Sequence, residues 1–419
     1  MKVPRLVILA FVALAFSGPL ARADNAVLFW NEQALNATRL ARQPPPVIAL
    51  HLGTYHGAIA DAVDGIVGQW QPWLVQEKAP APSDVDAAIA AAAYTVLKAI
   101  WGQAANPHLF DVAYQSRLAA IPDGPAKANG IAWGEHVAKL VLAERAKSGF
   151  TNKVNYQPGA KAGEWHETAP EFRPAATPQL GNTKPFVLTA PEQFRGPPPP
   201  AVESKEYADD LNKVAKLGAR DSTERTEAQN LSVPFWADAL GTSGPAGHWN
   251  IITQGLARER NLSVPDTARL FALLNFAAAD AFISAWDTKF FYNTARPETE
   301  IRELNKDVNP YVQQRADWIP NMASLPFPSY PSAHMTFTAA ATRVLAHYFG
   351  TDEVTFSTTS DGLPGAVRTF HKFSDAADEV GMSRIYGGIH TMFDVKAGKD
   401  VGTKIGDWVF THALRPVQP

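Results

Sequence analysis

The sequence predicts an all-α protein made of two helical bundles joined by a Pro-rich connector. Three observations carry that prediction. Alanine-rich stretches with helical apolar spacing dominate the N-terminal part, and the helical signal resumes later in the chain. Alternating apolar and polar runs of the kind strands need are scarce. Between the two helical regions lies a block whose proline density forbids long helices.

Residues 1–23 read as a leader rather than as part of the fold. Met1 to Arg5 is a short basic start, Leu6 to Phe16 is apolar, and Ala21-Arg22-Ala23 has the small-x-small pattern of a cleavage site. The expectation is a signal peptide cut after Ala23 and a secreted or periplasmic mature chain. Residues 24–156 form the first helical region, including Val85 to Trp101 and Ile131 to Ala146. In the second of these, Ala132, Val137, Leu140 and Val141 are spaced to share one face.

Residues 157–204 are the connector. Pro158, Pro170, Pro174, Pro178, Pro185 and Pro191 precede the run Pro197 to Pro200. Trp165, Phe172, Phe186 and Phe194 provide side chains to bury, so the connector is expected to pack on the surface. Residues 205–419 form the second helical region. Within it, Asp266 to Trp286 is apolar nearly all round, as expected of a helix at the centre of a core.

Composition removes several functions. The chain has no cysteine, which excludes thiolate nucleophiles, disulfides and Cys-based metal sites. Loss of the leader removes three of the 38 basic residues and none of the 41 acidic ones, leaving a formal charge of −6. Such a balance predicts no nucleic-acid partner. The leader's apolar run is too short to span a bilayer, and no later stretch reads as a membrane span. Catalysis then falls to His, carboxylate, hydroxyl or basic side chains.

Three clusters provide such groups. Lys289 and Arg296 are seven residues apart, two helical turns, with Pro297 marking an end at Arg296. Ser332 is placed to cap a helix whose first turn carries His334, so that helix amides and dipole make an anion seat. His390 and Asp394 are four apart; the carboxylate can accept one ring N–H and leave the other nitrogen free as nucleophile or ligand. Arg384 precedes Gly387-Gly388, which breaks the helix. Gly398, Gly402 and Gly406 then allow close packing of a following helix. Three positive charges in one pocket repel each other, and a multiply charged tetrahedral oxyanion resolves the repulsion. His51 and His56 are five apart and form no natural metal pair; the other histidines read as structural or surface residues.

The three clusters together resemble the signature of vanadium-dependent haloperoxidases and type 2 phosphatidic acid phosphatases: Lys-x6-Arg-Pro, Pro-Ser-Gly-His, and Ser-Arg-x5-His-x3-Asp. Here they are Lys289 to Pro297, Pro331 to His334, and Ser383 to Asp394. Gln193-Phe194-Arg195, Trp249-Asn250 and Ala279 to Asp287 look like the soluble haloperoxidase branch. The resemblance implies two four-helix bundles of the vanadium haloperoxidase / acid phosphatase-like fold. It implies His390 as vanadate ligand, His334 as acid–base residue, and Asp394 as orienting partner. Lys289, Arg296, Ser332, Ala333 and Arg384 would bind the oxyanion, with Trp286 and Phe327 around the halide.

The implied cofactor is vanadate, with phosphate able to take the same site, and the implied substrates are hydrogen peroxide and halide. An acid phosphatase acting on phosphomonoesters through a phospho-histidine fits the same pocket, as does a non-catalytic oxyanion-binding relative. The size and helical surfaces permit a homodimer. Two positions depart from the family pattern. Ala333 replaces a glycine, which would be strained at positive φ, and Ala295 replaces an aromatic. No acidic partner for His334 can be named from the sequence.

Overall fold

The computed structural model describes residues 25–417, and the expected leader lies outside them. The first five helices are α1 (Ala26–Ala41), α2 (Pro45–Val67), α3 (Val85–Trp101), α4 (Pro107–Ala119) and α5 (Pro125–Ala146). A long segment without α-helix follows, holding a 3₁₀ turn at Pro178–Asn182. The chain then forms α6 (Lys205–Leu217), α7 (Glu227–Phe235), α8 (Gly244–Glu259), α9 (Val264–Tyr292) and α10 (Pro297–Glu303). It closes with α11 (Ala333–Phe349), strands β1 (Phe356–Thr359) and β2 (Val367–Phe370), α12 (Phe373–Tyr386) and α13 (Met392–His412).

α9 organises the fold. It packs against α2 on one side and against α11 on the other, while α2 is backed by α3 and α5. One continuous apolar core therefore runs from α1 to the C-terminal residues, with a smaller cluster around α6 and α12. α9 corrects one expectation: it is long and apolar enough to cross a bilayer, but 94% of its apolar window is buried inside the fold. It is a core helix. The β1–β2 antiparallel hairpin also departs from an all-α reading; its strands have four residues each, too short for alternation to stand out.

Two details of the helical expectations change. In α5 the buried stripe is Gly130, Trp133, Gly134, Val137, Ala138 and Val141, whereas Ala132 and Leu140 face solvent. The small residues of α3 let α5 approach through its glycines, which turns the buried face away from Leu140. In the connector, Trp165 and Phe186 are buried, but Phe172 is 62% exposed.

Buried carboxylates fix the irregular segments. Asp280 of α9 accepts the amides of Phe186, Val187 and Leu188 at 2.6–2.9 Å. Asp61 of α2 does the same for Trp73, Leu74 and Val75. Each carboxylate supplies the acceptors that a loop without a ladder lacks. Arg195 makes a two-pronged ion pair with Asp287, at 2.8 and 2.6 Å, near the end of α9.

The small-residue face of α13 lies on α11. A Cβ at Gly402 would stand 2.0 Å from the Thr336 carbonyl oxygen, and one at Gly398 would stand 2.7 Å from that of Ser332. Glycine there lets α13 sit directly against the N-terminal turn of α11. The Ser332 amide completes the joint by donating to the Asp394 carbonyl at 3.0 Å.

Candidate active site

Lys289 and Arg296 do not share a helix. α9 ends at Tyr292, Asn293 takes the left-handed conformation (φ 52°), and Arg296 is extended as the N-cap of α10. The pre-proline position excludes the helical backbone for Arg296, and asparagine tolerates the left-handed turn before it. The turn still returns Arg296 to its partner. Both cations lie over the Phe327 ring, at 5.5 Å for Lys289 and 4.7 Å for Arg296.

The two cations are held differently. The Lys289 ammonium donates to the carbonyls of Pro328, Ser329 and Pro331, at 3.0, 2.6 and 2.5 Å. All three of its hydrogens are thereby used. It fastens the segment entering α11, and in this geometry it would act on an anion through its charge rather than as the direct clamp expected. Arg296 donates to Phe327 O at 2.7 Å and Ile389 O at 2.9 Å, while its buried Nη2 has no protein partner. Arg384 donates to Ser383 Oγ and Trp236 O, both at 3.0 Å.

Ser332 caps α11, its hydroxyl accepting from the Met335 amide at 3.4 Å. Ala333 is the first helical residue and does not have positive φ, so the methyl in place of hydrogen carries no backbone strain. The amides opening that helix have no intrahelical partner. His334 follows them, with its Nε2 buried and unpartnered. The other side of its ring bonds the Ala237 backbone. A main-chain group, rather than an acid, holds this imidazole.

His390 lies between α12 and α13, after Gly388 turns the chain at φ 75°. Its Nδ1 is 2.9 Å from Asp394 Oδ2, and both residues are buried. The same carboxylate oxygen accepts from Ser329 Oγ at 2.6 Å and the Thr391 amide at 3.1 Å. Asp394 also forms the capping box that starts α13. With Nδ1–H committed to Asp394, the lone pair of His390 is on Nε2, toward which Arg296 Nη1 points at 3.4 Å.

Electrostatics set the protonation states. Burial pushes Lys289 well below its usual value, Arg296 down to about 9 and Arg384 to about 10. Burial also pushes His390 down to about 3, helped by the charges of Arg296 and Lys289 against the pull of Asp394. His334 is lowered by burial and by the charges of Arg384 and Lys289. Burial works to raise Asp394, but the hydrogen bonds from His390 and Ser329 outweigh it and leave it below the usual carboxylate range. Both imidazoles are therefore neutral. Among the described residues, Nε2 of His334 has no protein partner, and Nε2 of His390 meets only Arg296 Nη1, at 3.4 Å. The donor set suits a tetrahedral oxyanion: a buried unpaired N–H on Arg296, a second guanidinium, a hydroxyl, helix amides and a nearby ammonium.

A cavity of about 220 Å³ opens onto the two histidines. Ala333, His334 and His390 form part of its wall, with Trp286, Phe282 and Phe327 as an aromatic side. The Trp286 and Phe327 centroids are 4.7 Å apart. Pro44 to Pro46 at the start of α2, and Ala176 and Thr177 of the connector, complete it. The connector is clipped there, since Ala176 donates to Pro326 O and accepts from Trp286 Nε1.

Sequence reasoning missed Ser329 and the segment Trp236-Ala237-Asp238. Trp236 receives Arg384, Ala237 holds His334, and Asp238 lines the cavity while pairing with His248 at 3.1 Å. Main-chain acceptors have no residue-type signature. Ser329 was visible only as a second Pro-Ser in Phe327 to Ser332.

Residues 269–419 match the family model described as the VCPO second helical-bundle domain. The vanadium chloroperoxidase of Curvularia inaequalis is 26% identical, over 90% of this chain and 80% of its own length. The structure of the first bacterial vanadium-dependent iodoperoxidase superposes with a TM-score of 0.79 at 25% identity, covering 92% of this chain and 97% of the other. A holo-type bacterial vanadium-dependent chloroperoxidase has the same fold at 18% identity, with a TM-score of 0.69 over 91% and 95% of the two chains. Residues 269–419 thus match a vanadium chloroperoxidase helical-bundle domain, and the chain is similar in sequence and in its mainly helical fold to vanadium haloperoxidases.

Proposed function

We propose that the protein is a vanadium-dependent haloperoxidase, exported by its leader, that oxidises halide with hydrogen peroxide. The observation that carries the reading is one cavity wall that joins a neutral His390 to a neutral His334 with unpartnered Nε2, the buried guanidinium of Arg296 standing 3.4 Å from His390 Nε2. The relatives named above, a chloroperoxidase and an iodoperoxidase, support it. We read the helices on the two sides of residues 157–204 as the paired four-helix bundles of this fold.

His390 Nε2 would ligate vanadate, while Arg296, Arg384 and the Ser332 hydroxyl hold its oxygens and Lys289 adds charge. Vanadate, when bound, supplies the electrophilic centre at which peroxide is activated toward halide. Asp394 keeps Nδ1–H of His390 in place, so the ligating nitrogen stays unprotonated and correctly aimed. His334, neutral and tethered to Ala237, would hold or move a proton at its unpartnered Nε2. The aromatic wall of Trp286 and Phe327 keeps water from the halide side of the pocket.

Protein freed of phosphate and reloaded with vanadate is expected to halogenate an acceptor when given peroxide and iodide, bromide or chloride. Hydrolysis of an aryl phosphate without vanadate, in the absence of halogenation, would replace this reading with that of a phosphatase. Tight phosphate binding with neither activity would make the chain an oxyanion-binding relative.

A further inference from the structure

A second cavity, of about 340 Å³, lies beside the first. Arg173 lines both. The outer cavity is otherwise lined by Arg220, Arg302, Glu171, Glu298 and an apolar floor that includes Ile319 and Pro320. Three arginines thus face two carboxylates.

Most of these charges are already engaged. Arg302 pairs with Glu298 at 2.9 Å and donates to Trp318 O at 2.7 Å. Glu298 also accepts from Ser324 Oγ at 2.5 Å, and Arg173 donates to Ser324 O at 2.8 Å. Arg220 differs: only its backbone amide is bonded, to Ile319 O at 2.9 Å. Its guanidinium makes no hydrogen bond or ion pair among the described residues, leaving a full two-pronged donor on the cavity wall.

The rim is apolar where a soluble surface is ordinarily polar. Ile319 on the outer cavity is 43% exposed, and Leu240 on the inner cavity is 54% exposed. Phe172 stands between the wall residues Glu171 and Arg173 at 62% exposure. With Arg302 and Glu298 paired, Arg173 and Arg220 stand against Glu171, the single carboxylate of the wall left unpaired among the described residues, so the wall keeps a net positive charge. That charge, the apolar rim residues and the wall shared with the first cavity match an organic acid with an apolar body.

From these observations we infer that the outer cavity is the docking site of the organic acceptor, an apolar carboxylic acid whose carboxylate pairs with Arg220. The inference rests on the haloperoxidase reading for the acceptor's fate, but not for its binding. Hypohalous acid leaving the inner cavity past Arg173 meets the docked molecule. The new carbon–halogen bond replaces a carbon–hydrogen bond, the halogen is reduced as it forms, and the released proton and hydroxide leave as water.

The test is calorimetric titration of the full-length mature chain with 4-phenylbutanoate and with its uncharged primary amide. Wild type should bind the carboxylate about five-fold tighter than the amide, the scale of one exposed charge pair. Arg220→Ala should erase that preference and Arg220→Lys should keep most of it. Equal binding of acid and amide by wild type, or a preference that survives Arg220→Ala, overturns the inference. Arg220 is exposed, so neither variant endangers the fold. Halogenation is not needed for this measurement; its absence would remove the haloperoxidase reading and leave the docking result standing.

Discussion

Two buried histidine–carboxylate pairs, His390–Asp394 and His248–Asp238, differ in what the second ring nitrogen meets. His390 gives Nδ1 to Asp394 at 2.9 Å and keeps Nε2 at the cavity. His248 gives Nδ1 to Asp238 at 3.1 Å, but its Nε2 meets Thr358 Oγ1 at 3.2 Å, and Trp236 stacks on the ring at 4.7 Å. The same two residue types thus make a cavity-lining imidazole in one place and a fully packed one in the other. Burial and an acidic partner are common to both. The cavity separates them: His390 lines it, with Nε2 met only by Arg296 at 3.4 Å, and His248 does not.

The largest break in that comparison is His390→Ala. Halogenation should vanish, a loss of at least about 10³-fold, because no other side chain offers a lone pair at that position. Steady-state rates with vanadate in excess would check it, and full retention would take His390 out of the mechanism. His334→Ala should follow, with a loss of about 10² to 10⁴-fold in kcat, the range of a removed acid–base group. Vanadate affinity should change much less, which separates its role from that of His390.

Asp394→Asn should cost about 10- to 100-fold in vanadate affinity or turnover, as the ring loses the acceptor fixing its tautomer. By contrast, His248→Gln should leave turnover within about three-fold. It should reduce unfolding free energy by about 1–3 kcal/mol as a buried network loses a member. Urea melts alongside activity would show it, and a catalytic collapse equal to that of Asp394→Asn would erase the distinction.

The smallest effect concerns acid. His390 is near 6.5 when unfolded and is held down at about 3 when folded, so the unfolded chain takes up more protons between these values. Its contribution to stability therefore falls as pH drops from about 6.5 toward 3. In phosphate-free buffer, His390→Gln should show a shallower stability loss between pH 7 and 5 than wild type; equal slopes would contradict the neutral assignment.

Much of the site was legible because its chemistry resides in residue types that have few cheaper explanations. The charged residues of the three motifs, and the i,i+4 relation of His390 and Asp394, could be read from spacing. So could the capping of α11 by Ser332 and the glycine face of α13, since each depends on local geometry. α3 and most of α9 followed from apolar periodicity, which a helix imposes over many residues.

The tertiary structure decided everything that rests on a carbonyl or on a return of the chain. Whether Lys289 clamps an anion or ties a loop depends on where residues 328–331 pass, and no spacing contains that information. The holder of His334 is a backbone group nearly a hundred positions away, with no side-chain signature to find. The same holds for the connector, whose prolines excluded helix but did not say which aromatics would be buried or that it would wall the cavity. Sequence by itself determined which groups could do chemistry and which segments were helical, because those follow from side-chain identity and short-range periodicity. Folding alone decided which of those groups keep a free atom at the cavity, because that depends on contacts between segments far apart in the chain.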